Sequence, residues 1–206
     1  METDRDDVKD KIFAFAYDMA MRDATLQGAF TGKKAELSKN KDARKAVKHY
    51  IDQVFDGKFK SEDDQDDHNN CFYITADTVC EKIGSGFMFG NAQKLINMTV
   101  KYMYIACYKN TDLREKFRFC HCPVDSYMLA YVWDELKRNK DDFLKQKGYT
   151  KTGRNAFTAS WSREEKSKGI DEPARYSDFQ QAVRRLAKDK FPIEYDYMHW
   201  TEAKKS

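Results

Sequence analysis

Breaker residues constrain this fold more than composition does. Three prolines and nine glycines in 206 residues leave long stretches with nothing to interrupt a helix. Within those stretches apolar residues recur every three or four positions, which is the helical period and not the strand period. The expected class is mainly α, a compact multi-helix domain built around one glycine-rich turn. Aromatic residues make up 14% of the chain, enough buried surface to offset the entropy of ordering most of it, so extensive disorder is excluded.

The first helix is expected from about Asp6 to Leu26, with Val8, Ile12, Phe15, Met19 and Leu26 inward. A second is expected over Ala35–Phe55, with Ala43, Val47, Tyr50, Ile51 and Val54 on its buried face. Residues 57–70 read as an exposed acidic loop, since Ser61–Asp67 carries five acids and no base. Phe72–Thr75 fits a short strand, and Thr75 or Asp77 equally fits the cap of a helix through Ile83. After Gly84-Ser-Gly-Phe-Met-Phe-Gly90 the spacing predicts a helix over Asn91–Tyr108. Its apolar stripe is Leu95, Met98, Tyr102 and Ile105, and Lys94, Asn97 and Lys101 share another face. Asp125 or Ser126 caps a helix to Arg138 with Met128, Tyr131, Val132 and Leu136 inward, and a last clear helix covers Tyr176–Ala187. The chain thus reads as one helical domain over 1–206: N-terminal helices in 1–56, the acidic loop at 57–70, a central glycine-turn and Pro-Val-Asp region at 71–138, and a basic, aromatic final third at 139–206.

Net charge is only +3, but Lys137–Lys190 holds fifteen Lys/Arg against eight Asp/Glu. That is a surface suited to phosphate, or simply a solvated helical face. No apolar stretch nears the roughly 20 residues of a membrane span, and the acidic opening has no signal-peptide pattern, so no membrane partner is expected. Five cysteines, an odd number clustered in the middle third, read as reduced thiols in a cytoplasmic protein. Four donors, His68, Cys71, Cys120 and Cys122, have types that Zn²⁺ accepts; buried thiols without metal are the alternative, and no other cofactor is expected. The aromatics of the tail, among them Trp161, Tyr176, Phe179, Phe191, Tyr195, Tyr197 and Trp200, either stack bases or fill the core.

Chemistry concentrates at the glycine turn. Gly84, Gly86 and Gly90 permit positive φ and close backbone approach, and the helix that follows presents N–H groups to an anion such as DNA phosphate. Lys94, in the first turn of that helix, is an amine nucleophile if held among apolar neighbours. Asp125, opening another helix after Pro123-Val124, is a carboxylate able to offset developing positive charge. Otherwise it is a plain helix cap.

A glycine turn, then Lys94 on an apolar helix, then Pro123-Val-Asp-Ser126 opening the next helix resembles the active-site arrangement of the helix-hairpin-helix base-excision DNA glycosylases. The likeness covers residues 83–132. It departs from the family at Ala92, where a glycine is usual, at Tyr127, where a histidine is usual, and in the longer separation of lysine and aspartate. The resemblance implies a helix-hairpin-helix-like element at Gly84–Gly90, Lys94 as nucleophile on C1′ of a flipped nucleotide and Asp125 as the assisting carboxylate. DNA would be the partner, with Gly84, Gly86, Gly90, Lys101, Arg184 and Arg185 on its backbone, and excision of a damaged or modified base the activity, with Schiff-base lyase chemistry as an extension. The alternative is a non-catalytic helical module binding nucleic acid or protein.

Overall fold

A computed structural model describes residues 2–26, 34–84, 86–149 and 175–205, and the described chain is mainly helical, with no strand among these residues. The helices are α1 (Glu2–Ala24), α2 (Lys34–Leu37), α3 (Lys41–Phe55), α4 (Gln65–Ile83), α5 (Phe89–Ala106), α6 (Thr111–Glu115), α7 (Ser126–Arg138), α8 (Phe143–Gln146), α9 (Arg175–Ala187) and α10 (Pro192–Ala203). Their buried apolar residues join one cluster that runs from Phe13 to Ala203. None of these helices is long and apolar enough to cross a membrane.

Helix α5 is the axis of the packing, lying along α1 and α4 and meeting α10, while α7 packs on α9 and α10. It is buried on most of its circumference, including Gln93, Asn97, Thr99 and Lys101. That is why its apolar stripe predicts only part of its buried face. Leu95 is fully buried, but Ile105 is 39% exposed.

Helix α1 turns a different face inward from the one its largest residues suggest. Phe13, Ala16, Tyr17, Ala20, Met21 and Ala24 are buried, whereas Val8, Phe15 and Leu26 are exposed. Small alanines let α1 lie close along α5, and that proximity outweighs the size of Phe15. At its end Asn91 fastens the two helices: its Nδ2 donates to the Ala24 carbonyl at 2.8 Å and its Oδ1 accepts from Met88 N–H at 3.3 Å.

The face expected for the second helix is correct, with Ala43, Val47, Tyr50, Ile51 and Val54 all buried. Its start is not. Asn40 interrupts the run and caps α3 by accepting from Ala43 N–H. The stretch 57–70 is a loop only in its first part. The acids at 62–64 form a 3₁₀ turn and α4 begins at Gln65, placing acidic residues at a helix N-terminus where the dipole favours them. Phe72–Thr75 is helical, and His68, which falls within the expected loop, is fully buried. All five cysteines are free thiols.

Candidate functional site

Between α10 and α7 on one side and α5 on the other lies a cleft of about 730 Å³. It is positioned by an unusual buried segment. Phe119 to Val124 has no regular secondary structure yet is buried throughout, so its backbone groups need partners that are not a strand or a helix. Side-chain amides supply them. Gln180 of α9 accepts from Cys122 N–H at 2.9 Å and donates to Cys122 C=O at 2.8 Å, as a neighbouring strand would. Gln93 of α5 treats Val124 alike, donating to its carbonyl at 3.2 Å and accepting from its N–H at 3.4 Å. Arg184 donates to the Phe119 carbonyl at 3.0 Å.

This segment delivers Asp125 to the rim of the cleft. Its Oδ1 accepts from Tyr127 N–H at 3.0 Å and Met128 N–H at 2.9 Å, capping α7, while Oδ2 accepts from the Trp200 indole N–H at 3.3 Å. Across the cleft, Lys94, Met98, Lys101 and Tyr102 line the wall from one face of α5. Locking Gln93 to the buried segment leaves the next residue, Lys94, on the cleft side, half-buried and without an ion-pair partner among the described residues. Lys94 and Asp125, 31 positions apart in the chain, therefore line one cleft.

Its floor holds a second charged pair. Lys101 Nζ is 2.5 Å from Asp196 Oδ2 of α10, and the Asp196 side chain is 1% exposed. Burial pushes the Asp196 carboxyl up to about 6, against the pull of Lys101 and with a smaller push from Asp125. Lys101 also stands 5.5 Å from the centre of the Trp200 ring. Asp196, Lys101, Trp200 and Asp125 thus form one connected chain. At the rim the Tyr102 hydroxyl donates to Asp23 Oδ2 at 2.6 Å.

The other sequence candidates fall elsewhere. Gly84 and Gly86 have positive φ, +65° and +82°, and close a turn in which Phe87 N–H donates to Gly84 C=O at 3.0 Å. Gly90 is different: it is the second residue of α5 and lines the cleft. Asn97 departs from the face expected to hold it with Lys94 and Lys101, since it is fully buried and donates to the Tyr176 hydroxyl at 2.9 Å. Arg184 is turned inward onto Phe119, and Arg185 is held by Asp141 at 2.7 Å and Asp142 at 2.9 Å. Neither arginine is at the cleft. Residues 150–174 of the basic final third, Trp161 among them, lie outside the described residues.

The four possible zinc donors each meet groups of the protein. His68 Nε2 lies 2.8 Å from the Tyr50 hydroxyl, which also reaches Cys120 Sγ at 3.9 Å. Cys71 donates to Gln53 Oε1, and Cys122 to the carbonyl of Pro123. Burial raises the Cys120 thiol to about 12 and Cys122 well above its ordinary value. Among the described residues no group of three or more His, Cys, Asp or Glu is gathered for a metal.

Sequence reasoning missed Asp196, Gln93 and Gln180. Asp196 had a signal, lying on the stripe of α10 that contains Pro192, Ile193 and Ala203, where a carboxylate is out of place. The glutamines had none beyond polarity on buried helix faces.

No family model, curated protein or solved structure matches this chain.

Proposed function

We propose that the protein is a DNA glycosylase-like enzyme that excises a damaged or modified base, with Lys94 and Asp125 as its reacting pair. The observation that supports this reading is their presence on one cleft, although 31 residues separate them. Lys94 makes no ion pair among the described residues, so no carboxylate holds its side chain away from a bound sugar. It attacks C1′ as the C1′–N bond breaks and the bonding electrons leave with the base, which takes a proton from water. Positive charge on the sugar develops opposite Asp125, whose Oδ2 faces the Trp200 indole. The sugar ring then opens as O4′ takes the amine proton, leaving a Schiff base. A cleft of about 730 Å³ is within the size range of small-molecule pockets and admits a nucleotide, and the exposed rings of Trp200 and Tyr127 at its edge offer flat surfaces for a base.

Borohydride trapping on modified-base and abasic DNA tests the reading. A covalent protein–DNA adduct is expected with the wild type and none with Lys94→Ala or Lys94→Arg; absence of an adduct on every substrate removes the Schiff-base mechanism. The non-catalytic module is favoured by one observation, that Asp125 Oδ1 is spent on two backbone N–H groups of α7. It expects DNA or protein binding with no adduct at all.

A further inference from the structure

The cleft continues onto a surface that its chemistry does not use. Lys101 and Ile105 on α5, with Tyr108 just past its end, follow one another at helical spacing, and so do Tyr197 and Trp200 on α10 with Lys204 at its C-cap. The two rows touch at two points. Lys101 meets the Trp200 ring beside the cleft, and two turns away the Tyr108 and Tyr197 rings pack at 5.9 Å between centres. All three rings are open to solvent, Tyr108 47%, Tyr197 44% and Trp200 36%. Cations flank them: Arg114 lies 5.0 Å from the centre of Tyr108 and Lys204 lies 5.2 Å from that of Trp200. Lys204 makes no ion pair among the described residues.

We propose that Trp200, Tyr197 and Tyr108 form a track for single-stranded DNA, stacking the bases that flank a nucleotide held in the cleft. The proposal rests on the reading that the cleft takes a nucleotide and does not depend on the reaction done there. Exposed aromatic rings on and just past two ordered helices, with Lys101 and Lys204 beside Trp200 and the Glu194-paired Arg114 beside Tyr108, match a polyanion with π-faced bases better than they match an apolar protein surface. The dimensions agree. Lys101, which meets the Trp200 ring, and Tyr108 just past the end of α5 are seven residues apart, roughly 10 Å at the helical rise, the length of about three stacked bases. In a duplex those base faces are covered by their neighbours, so the track selects unpaired strand.

Fluorescence anisotropy with a labelled oligothymidine and with a duplex of equal length, at low salt, provides the test, run beside the borohydride assay. The single strand is expected to bind more tightly than the duplex. Tyr108→Ala/Tyr197→Ala weakens single-strand binding about tenfold or more, and Tyr108→Phe/Tyr197→Phe, which keeps both rings and guards against misfolding, stays within about twofold. Loss of binding in the alanine variant with no adduct in any trapping reaction upholds the track and removes the glycosylase reading. An adduct on duplex, with equal affinities for wild type and alanine variant, overturns the track and leaves the glycosylase reading standing. The track is also overturned if the wild type binds no single strand, or if the alanine change abolishes self-association of the protein instead.

Discussion

Two polar regions share helix α5, and they spend their hydrogen bonds differently. On one side Gln93 and Asn97 join Gln180, Tyr176, His121, Asn69, Tyr50 and His68 in a sealed layer where most groups have a partner on the protein. On the other side, Lys94 has no partner among the described residues, Asp196 meets only Lys101, and Asp125 keeps one oxygen turned to an indole. Buried polar groups are stabilising only when satisfied. The sealed layer therefore holds the Phe119–Val124 segment in place, while the cleft keeps polar groups available for a ligand. Substitutions in the first should cost stability, and substitutions in the second should cost function.

The largest stability loss is expected at Gln180. Gln180→Leu leaves the buried Cys122 N–H unpaired and its carbonyl with only the long 3.5 Å contact from Asn97 Nδ2, and at 1–3 kcal/mol per group the cost is up to about 4 kcal/mol in urea unfolding. A loss below about 1 kcal/mol would mean that water can enter the layer, and the contrast with the cleft would fail.

The Lys101–Asp196 pair lies on the border. Lys101→Met strands a buried carboxylate and is expected to cost about 3 kcal/mol. Replacing both, as Lys101→Met/Asp196→Leu, should recover most of that loss, because an apolar pair of similar volume avoids desolvating two charges. Recovery of stability without recovery of DNA binding or adduct formation would assign the pair to function. If the double variant is as unstable as the single one, the pair belongs with the sealed layer.

Acid separates the regions by sign. Burial lowers His68 to about 3, and His121 well below its ordinary value, with help from the charges of Arg184 and His68. Unfolded histidines bind protons near 6.5, so between that pH and about 3 the unfolded chain holds more protons. The stability these two contribute is present above 6.5 and is lost as pH falls, each adding about 1.4 kcal/mol per pH unit to the slope. Asp196 acts oppositely. Raised to about 6, it binds a proton in the folded state first, so its contribution is present below about 4 and lost as pH rises through 6. Between 4 and 6 it offsets one histidine, and Asp196→Asn should roughly double the slope of stability against pH in that window. Urea unfolding at half-unit pH steps measures it, and an unchanged slope would show that Asp196 does not titrate there.

The helices were largely legible because periodicity reports which face is buried: Ala43, Val47, Tyr50, Ile51 and Val54 needed only α3's own sequence. Lys94 and Asp125 were legible as types at helix starts, one after a glycine turn and one after a proline. What stayed hidden depended on contacts between distant segments. Phe15 is exposed because alanines pack closely between α1 and α5, and no single-helix pattern carries that preference. His68 disappeared into an apparent acidic loop because charge masked the helix that buries it. Gln93 and Gln180 are 87 positions apart, and each makes sense only against a segment belonging to neither helix.

The smallest expected stability effect falls on the residue with the largest expected role. Lys94 makes no ion pair among the described residues and is half-buried at the cleft wall, so Lys94→Ala removes a solvated charge and a flexible stem and should change stability by no more than about 0.5 kcal/mol. A residue kept for folding cannot combine that neutrality with complete loss of adduct, since a structural defect lowers both together. If Lys94→Ala instead destabilises by about 2 kcal/mol, the stem packs as part of the wall. The lysine then moves to the structural side of the comparison, and its loss of activity no longer identifies a nucleophile.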